Sequence, residues 1–263
     1  MRELERELIP QPTPDAPIVL VGRGPVALSL AAAAESAGLP VRPAASAEAE
    51  QACRGATAAL LCVPDDAVAA ICETVARAQP VPRLVGHPSG AGTLAVLEPA
   101  FAAGAATFSL HPLQTFPDGA TVVEETPAAI AGSDDEAAAF ARGLAVRLGM
   151  RPFDVPDEQR AAYHAAACMA SNFLVALQEA SAELLSRTGV EDARELLAPL
   201  VLRTAANWAE RGPEALTGPI ARGDRDTVER HRAALAELAP EMLAAYDALA
   251  AHTEAIAGER GPA

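Results

Sequence analysis

The chain has 263 residues, of which 51% are hydrophobic, and a formal net charge of −15 at pH 7. A chain of this length can form one large domain or two modest ones, and its apolar content is sufficient for packed cores. The acidic balance argues against a general nucleic-acid surface, because neutralising phosphates requires a basic patch, and it favours a small-molecule ligand.

Residues 1–16 are expected to form a flexible leader, because acidic residues and prolines occur there without an apolar period. Nothing in this leader resembles a signal peptide, and no apolar run reaches the ~20 residues needed to cross a bilayer. We therefore expect a cytoplasmic protein without a membrane partner. The four cysteines fit no metal-binding spacing, so no metal site is predicted, and Cys62 is interpreted as a buried, reduced thiol.

The first half of the chain alternates short apolar segments with alanine-rich stretches of helical period. The predicted strands are 18–21, 41–44, 58–62, 83–86, 107–110, 128–131 and 151–155. The predicted helices between them are 25–37, 65–78, 93–103 and 134–148. Such alternation, with strands that are apolar throughout, predicts an α/β fold with a doubly wound, mostly parallel Rossmann sheet.

The pattern changes at about Pro156, after which only helical periods occur. We expect these helices to be broken at glycines and at prolines that include Pro199 and Pro240. The sequence therefore predicts a dinucleotide-binding domain over 17–155, an all-helical domain over 156–257 and a frayed tail over 258–263.

A glycine-rich turn follows the first predicted strand and opens the first predicted helix. Gly22-x-Gly24-x-x-Ala27 fits the dinucleotide fingerprint, in which the first glycine makes the turn and the second lets the backbone approach pyrophosphate. The pyrophosphate would lie on the helix N-terminus, so Gly22, Arg23, Gly24, Pro25, Val26 and Ala27 are predicted to bind the cofactor. A tight turn that binds nothing is the alternative.

The end of the second strand normally selects the cofactor, since an acid there binds the ribose 2′-hydroxyl of NAD. This segment reads Val-Arg-Pro-Ala-Ala-Ser over 41–46 and lacks an acid. Ser46 and Arg23 could meet a 2′-phosphate instead, so the sequence favours NADP(H) over NAD(H). Arg42 could equally be a solvated strand residue.

Several motifs together resemble a known bacterial family. They are VPDDA at 63–67, HPSGA at 87–91, HPLQTF at 111–116, YHAAA at 163–167 and TGPIARGD at 217–224. With them the chain, from about residue 17 to 257, resembles the Rossmann-like and DUF2520 domain-containing proteins. That family is similar in architecture to ketopantoate reductase, pyrroline-5-carboxylate reductase and the 6-phosphogluconate-dehydrogenase-like superfamily. The resemblance implies a dinucleotide fold and a helical dimerising domain, and it names no substrate.

Candidate site residues follow the predicted strands, because the carboxyl ends of parallel strands line the ligand crevice. Val63, Pro64 and Ser89 resemble superfamily positions beside the cofactor. Asp65 or Asp66 is interpreted as the N-cap of the next helix. His87 is a candidate substrate-binding residue and His111 a candidate acid/base, although either could be a structural histidine.

The predicted helix over 158–187 carries a second polar stripe. Tyr163 is assigned to its apolar core stripe, whereas His164, Cys168 and Asn172 follow at i, i+4 and i+8 on another face. Related reductases have a proton-donating lysine on the corresponding helix, and this chain contains no lysine. His164 could replace it, and Asn172 could orient a substrate carbonyl or carboxylate. Cys168 is assigned to packing.

The irregular loop over 216–224 completes the candidate site. Thr217 and Arg222 could bind an anionic group of the substrate, or Arg222 could simply pair with Asp224. The abundant Ala and Leu faces of residues 156–257 predict a homodimer through the helical domain.

These features support an NAD(P)-dependent oxidoreductase, acting on CH–OH or CH–NH donors, whose substrate is a small keto or imino acid. One alternative is a homodimer that binds or senses NADP(H) without catalysis, and another is a structural homodimer with a vestigial cleft.

Overall fold

The computed structural model describes residues 17–259 and contains one seven-stranded sheet of order β2-β1-β3-β4-β5-β6-β7. The strands are β1 Ile18–Val21, β2 Val41–Ala44, β3 Ala58–Leu61, β4 Leu84–His87, β5 Ala106–Pro112, β6 Pro127–Gly132 and β7 Arg151–Asp154. All seven lie at the predicted positions. Neighbouring strands are parallel except β5 and β6, so the predicted mostly parallel Rossmann sheet is confirmed.

Helices cover both faces of the sheet. They are α1 Pro25–Ser36, α2 Ala49–Cys53, α3 Val68–Ala76, α4 Glu98–Ala102 and α5 Asp135–Arg147. Short 3-10 turns precede α2, α3 and α4, and α2 itself was not predicted because five residues are too few to show a helical period. Strand residues alternate between the two apolar cores: Phe108 packs with α1 and α5 on one face, and Val85 packs with α3 and α4 on the other.

The second half is helical, as predicted, with no strand between Val155 and Glu259. The helices are α6 Arg160–Ala170, α7 Asn172–Arg187, α8 Ala193–Arg211, α9 Arg225–Leu238 and α10 Leu243–Glu259. The predicted continuous helix over 158–187 is wrong, because the backbone leaves helical geometry at Ser171, with φ −121° and ψ −73°. Pro199 lies inside α8 rather than at a break.

The chain divides into two compact units between Cys168 and Met169. The first unit therefore contains the sheet and most of α6, whereas the sequence predicts a boundary after residue 155. The difference arises because side chains of α6 contact β5, as described below. The predicted leader lies outside the described residues, and α10 continues through Gly258 into the predicted tail. No helix of residues 17–259 is long and apolar enough to cross a membrane.

Candidate functional site

The turn after β1 requires a glycine at its first position. Gly22 has a φ of +129°, and a Cβ atom on it would lie 2.0 Å from the carbonyl oxygen of Cys62. Its amide donates to the carbonyl of Ala44 at 2.9 Å, which ties the turn to the end of β2. Any side chain here would meet the backbone that follows β3, so the turn depends on this glycine.

The second glycine faces open space instead. No atom lies within 4 Å of the position that a Cβ on Gly24 would occupy. Gly24 is the N-cap of α1, where Pro25 takes the first helical position, no side chain caps the helix and no acid lies in the first turn. An uncapped helix N-terminus behind an open glycine is suited to a pyrophosphate, so these residues fit a dinucleotide. Ala27 is buried against the sheet, as the fingerprint requires.

A charged pair lies at the end of β2. The guanidinium of Arg23 is 74% exposed and lies 3.9 Å from the carboxylate of Glu48. Glu48 also accepts a hydrogen bond from the Ala45 amide at 3.2 Å. Ser46 begins the same 3-10 turn and is half-buried. Sequence reasoning missed Glu48, because the acid lies four residues beyond Ala44 rather than at the strand end.

Arg42 does not share this site, because its guanidinium donates to the carbonyl of Ala52. It is an exposed strand residue that is held by a main-chain acceptor.

The segment after β3 continues the same edge of the sheet, with Val63 half-buried and Pro64 exposed. The N-cap interpretation of Asp65 and Asp66 is wrong. Pro64 is the N-cap of the 3-10 turn, and neither acid makes a capping hydrogen bond. Both carboxylates are exposed within the turn, since this turn closes through main-chain groups alone.

His87 is a structural residue of the loop after β4. Its side chain is fully buried, its Nδ1 accepts from the Ser89 amide at 3.2 Å, and its Nε2 lies 3.3 Å from the Thr93 carbonyl. Burial lowers the pKa of His87 to about 4, so the ring is neutral at pH 7. Both ring nitrogens are used inside the loop, which favours the structural interpretation over substrate binding. Ser89 accepts from the Gly92 amide at 2.9 Å and is itself buried.

His111 forms the centre of a polar cluster with two residues of α6. Its Nδ1 lies 2.6 Å from the Tyr163 hydroxyl, and its ring centroid lies 6.4 Å from that of His164. All three side chains are partly exposed. A Cβ on Gly90 would lie within 2.9 Å of the rings of His111 and His164, so a larger residue at position 90 would clash with both side chains. Cys168 extends the cluster, with its sulfur 3.9 Å from either ring nitrogen of His164.

A buried arginine lies beside this cluster. Arg160 is fully buried, its Nη2 donates to the Ser109 hydroxyl, and its Cζ lies 5.9 Å from the centre of the Tyr163 ring. Its Nε and Nη1 have no hydrogen-bond partner among the residues that the structure describes. The carboxylate of Asp157 instead accepts from the Leu94 amide at 3.0 and 3.1 Å.

The periods of the two elements explain why these residues meet. Ser109 and His111 lie two apart on β5 and therefore face the same side of the sheet, opposite to Phe108. Arg160 and Tyr163 lie three apart on α6 and therefore share one side of the helix. Ser109 therefore contacts Arg160 and His111 contacts Tyr163, so polar contacts join α6 to β5.

Burial controls the protonation of the cluster. It lowers the pKa of His111 to about 4, and the Arg160 cation lowers it further. It also raises the pKa of Tyr163 to about 12, with Arg160 opposing the shift. At pH 7 the pair is thus a neutral imidazole and a neutral phenol. The sequence does not show the burial that shifts these two pKa values.

The other predicted site residues belong to the second unit. Asn172 is exposed at the start of α7, where its Oδ1 accepts from the Ser171 hydroxyl at 2.8 Å. Thr217 and Arg222 are exposed in the loop before α9. Asp224 does not need Arg222 as a partner, because it caps α9 by accepting from the Thr227 amide at 3.1 Å and hydroxyl at 2.8 Å. Cys62 is buried and unpaired, as predicted.

Sequence reasoning missed Ser109 and Arg160, and it assigned Tyr163 to an apolar stripe. A signal was present on β5, where polar Ser109 and His111 alternate with Phe108 and Leu110. The matching signal on α6 is Arg160 at three residues before Tyr163. Neither pattern identifies its partner without the tertiary contact.

Similar solved structures define the class of this fold. BF3122 from Bacteroides fragilis, named as a candidate NADP oxidoreductase, is 26% identical and superposes with a TM-score of 0.73 over 92% of this chain and 98% of that chain. Protein TM1727 from Thermotoga maritima is 22% identical, with a TM-score of 0.74 over 93% and 100%. Pyrroline carboxylate reductase from Plasmodium falciparum with NADP bound is 12% identical, with a TM-score of 0.60 over 93% and 99%. The chain therefore shares its fold with these proteins, among which are an NADP-bound reductase and a candidate NADP oxidoreductase.

Residues 126–253 match the profile of the domain of unknown function DUF2520, so this part of the chain carries a DUF2520 domain. The resemblance inferred from the sequence motifs is confirmed to that extent. No curated protein sequence gave a significant match to the chain.

Proposed function

We propose that this protein is an NADP(H)-dependent oxidoreductase that reduces or oxidises a small keto or imino acid. One observation carries the proposal: the open Gly24 loop follows β1, and His111 lies near the carboxyl end of β5 in the same sheet. β1, β3, β4 and β5 are parallel, so both features lie at the carboxyl edge where such sheets bind ligands.

The cofactor would be held by Gly22, Arg23, Gly24 and the first turn of α1, with Ser46, Val63, Pro64 and Ser89 nearby. Bound there, NADPH would supply a hydride to a carbonyl or imine carbon. The half-exposed polar groups of the cluster would exchange the accompanying proton with the substrate.

We assign the acid/base work to the cluster that contains His164 and His111. His164 lies on the helix that corresponds to the one carrying the lysine of related reductases, and in this assignment it contacts the substrate. Asn172, Thr217 and Arg222 belong to the second unit, and their roles toward a substrate stay predictions from the sequence. His87 has no free ring nitrogen for a ligand, so it is left out of this assignment.

NADPH oxidation tests the proposal directly. Purified protein should quench or shift NADPH fluorescence and should oxidise NADPH with a 2-oxo acid, offered with and without ammonium so that the carbonyl and the imine are both present. His164→Ala should retain NADPH binding and lose turnover, and full activity in this variant would remove His164 from the mechanism. NADPH binding without turnover across 2-oxo acids of different chain length would favour a sensing protein.

We also propose that NADP(H) is preferred over NAD(H). The exposed Arg23 supports this preference, because a guanidinium can pair with the 2′-phosphate that only NADP carries. Arg23→Ala should weaken NADPH binding about tenfold, the usual scale for one charged hydrogen bond, and leave NADH binding as it is. Glu48→Gln is the matched variant: it removes a carboxylate from the same place and should not weaken NADPH binding. Equal losses for both cofactors in Arg23→Ala would contradict the preference.

We further propose a homodimer through the helical unit. The support is a set of exposed apolar side chains on α7 and α8 that includes Phe173, Val175, Leu200, Leu202 and Trp208, each more than 60% exposed. Exposed apolar side chains that occur together mark protein interfaces. Leu200→Glu should convert a dimer to a monomer in light scattering, whereas Val122→Glu, at an equally exposed site of the first unit, should leave the dimer intact. A wild-type protein that stays monomeric at all concentrations contradicts the proposal.

A further inference from the structure

We propose that Tyr163 is the residue that passes the proton to the substrate, with His111 orienting its hydroxyl and Arg160 stabilising its phenolate. This inference rests on the proposed oxidoreductase function and names the group that performs its proton transfer. It differs from the sequence interpretation, in which Tyr163 belonged to an apolar stripe and His164 held this role.

The hydroxyl of Tyr163 is positioned from one side only. His111 Nδ1 lies 2.6 Å from the hydroxyl oxygen, while the tyrosine side chain is half-buried. The ring is held edge-on against Phe153 at 6.0 Å and against the His111 ring at 5.6 Å between centroids. The phenol oxygen therefore has a fixed direction and one remaining hydrogen-bonding position for a ligand.

The tautomer of His111 decides which way the proton points. In the tautomer with its proton on Nδ1, His111 donates to the Tyr163 oxygen, and the phenolic proton is free for the substrate. During reduction the Tyr163 O–H bond breaks and a new bond forms between that proton and the substrate oxygen or nitrogen. The phenolate then regains a proton from water, so the residue returns to its starting state.

Charge stabilises the phenolate that this step produces. Arg160 lies 5.9 Å from the ring centre and is fully buried, so water does not screen it. Its Nε and Nη1 lack hydrogen-bond partners among the described residues, and the Asp157 carboxylate acts on its charge without a hydrogen bond to those nitrogens. A buried cation favours a transient negative charge beside it.

The two histidines are less suited to this step. Burial and the Arg160 cation hold the pKa of His111 at about 4, so this side chain is neutral at pH 7. It is therefore not an imidazolium that could donate a proton to an alkoxide. The Cys168 sulfur lies 3.9 Å from both ring nitrogens of His164, a contact that does not fix the orientation of the ring.

Tyr163→Phe tests the assignment and has a matched control in the same chain. The sequence contains two tyrosines, and Tyr246 in the second unit is also paired with a histidine, its hydroxyl lying 2.9 Å from His231 Nδ1. We expect Tyr163→Phe to lower kcat at least about 100-fold, the usual scale for a lost proton donor, with NADPH binding unchanged. Tyr246→Phe should leave kcat unchanged.

The outcomes separate this inference from the proposed function. If Tyr163→Phe turns over substrate as fast as the wild type, the role of Tyr163 is overturned while the proposed oxidoreductase function is supported. NADPH binding by the wild type without turnover on any 2-oxo acid or imine overturns both. A large loss in Tyr246→Phe as well would show a general effect of losing a tyrosine hydroxyl and would also overturn the assignment.

The pH profile gives a second readout that packing alone would not change. Burial raises the pKa of Tyr163 to about 12, so kcat for reduction should stay level as the pH rises from neutrality to 10, since the phenol keeps its proton. A histidine acid of ordinary pKa would lose activity above about pH 6.5. A fall in that range in the wild type therefore contradicts a tyrosine donor.

The role of Arg160 can be tested without turnover. The groups whose charges act on His111 are Arg160 and His164 of α6, Asp65 after β3 and His87 of β4, and Tyr163 contacts it directly. In a histidine NMR titration, Arg160→Gln should raise the pKa of His111 from about 4, because a neighbouring cation no longer opposes protonation. Arg160→Lys keeps the charge and should keep the pKa low. An unchanged His111 pKa in a folded Arg160→Gln protein overturns the electrostatic role.

Discussion

The two units of the chain bury their apolar residues to very different degrees. In the first unit both faces of the sheet are covered, and the cores contain fully buried side chains such as Phe108, Leu60 and Val85. In the second unit, between Met169 and Glu259, only Ala193, Leu235 and Ala239 are buried, and neither α7 nor α10 has a buried residue. Similar apolar sequence content has thus produced a packed core in one unit and exposed helix faces in the other.

This contrast shows how the two units differ in what stabilises them. A unit with its own core should resist unfolding at any protein concentration, since its contacts are intramolecular. The proposed homodimer would cover the exposed apolar faces of the second unit, so the stability of that unit should rise with protein concentration.

Replacing one phenylalanine by alanine in each unit should give the largest difference in the free energy of unfolding. Phe108→Ala removes a fully buried ring and should lower the free energy of unfolding by about 3–5 kcal/mol at every protein concentration. Phe173→Ala removes a ring that is 62% exposed, so its effect should appear mainly as weaker association. Chemical denaturation of both variants at low and high protein concentration measures this. Equal losses of stability at low concentration would mean that the second unit has a core of its own.

Acid should destabilise the first unit through its buried histidines. The pKa of His87 is lowered to about 4 in the folded state by burial, against about 6.5 in an unfolded chain. The unfolded state therefore binds the proton more readily, and stability that is present above about pH 6.5 is lost as the pH falls towards 4. The loss from His87 is on the order of 3 kcal/mol, and urea denaturation between pH 7 and 4.5 measures it.

A pair of variants assigns this acid sensitivity to its residue. His87→Asn should flatten the dependence of stability on pH, because the residue that titrates is removed. His252→Gln changes an exposed histidine of the second unit and should leave the dependence as it is in the wild type. A wild-type protein whose stability does not change with pH would contradict the prediction. So would a pH dependence that His252→Gln removes and His87→Asn leaves in place.

Glycines provide the finest comparison between the units. Gly22 and Gly189 both have positive φ, +129° and +88°, yet a Cβ on Gly22 meets the Cys62 carbonyl at 2.0 Å while one on Gly189 meets nothing within 4 Å. Gly189→Ala should therefore cost only backbone strain, about 1–2 kcal/mol. Gly22→Ala should cost more, since the backbone after β3 must move, and it should abolish NADPH binding. Thermal unfolding and NADPH fluorescence check both effects, and equal costs would argue against the contact.

Much of the first unit could be predicted from local sequence. Each strand of the sheet is a short apolar run between turn residues, and the Gly22–Ala27 loop has a spacing that one backbone geometry explains. The second half was predicted as helical for the same reason, since the apolar period is local. The break at Ser171 and the continuation through Pro199 were not predicted, because tertiary contacts override weak local preferences at such positions.

The candidate site was only partly predictable. His111 was found because it opens a motif at a strand end, and His164 because it lies on a polar stripe of a predicted helix. His87 looked equally suitable, and only its burial and its two hydrogen bonds revealed a structural role. The spacing of Arg160 and Tyr163 was a signal that could not be interpreted, because an arginine near a helix N-terminus is most often a solvated residue.

The sequence by itself determined the order of the elements, the glycine turn after β1 and the absence of a lysine that could donate a proton. These are properties of residue type and spacing, so they need no knowledge of distant contacts. Only the tertiary structure brought α6 onto β5, joined Tyr163 to His111 and buried the Arg160 charge beside them. The physical reason is that burial and pairing change the pKa of a side chain, and both depend on residues about 50 positions away in the chain.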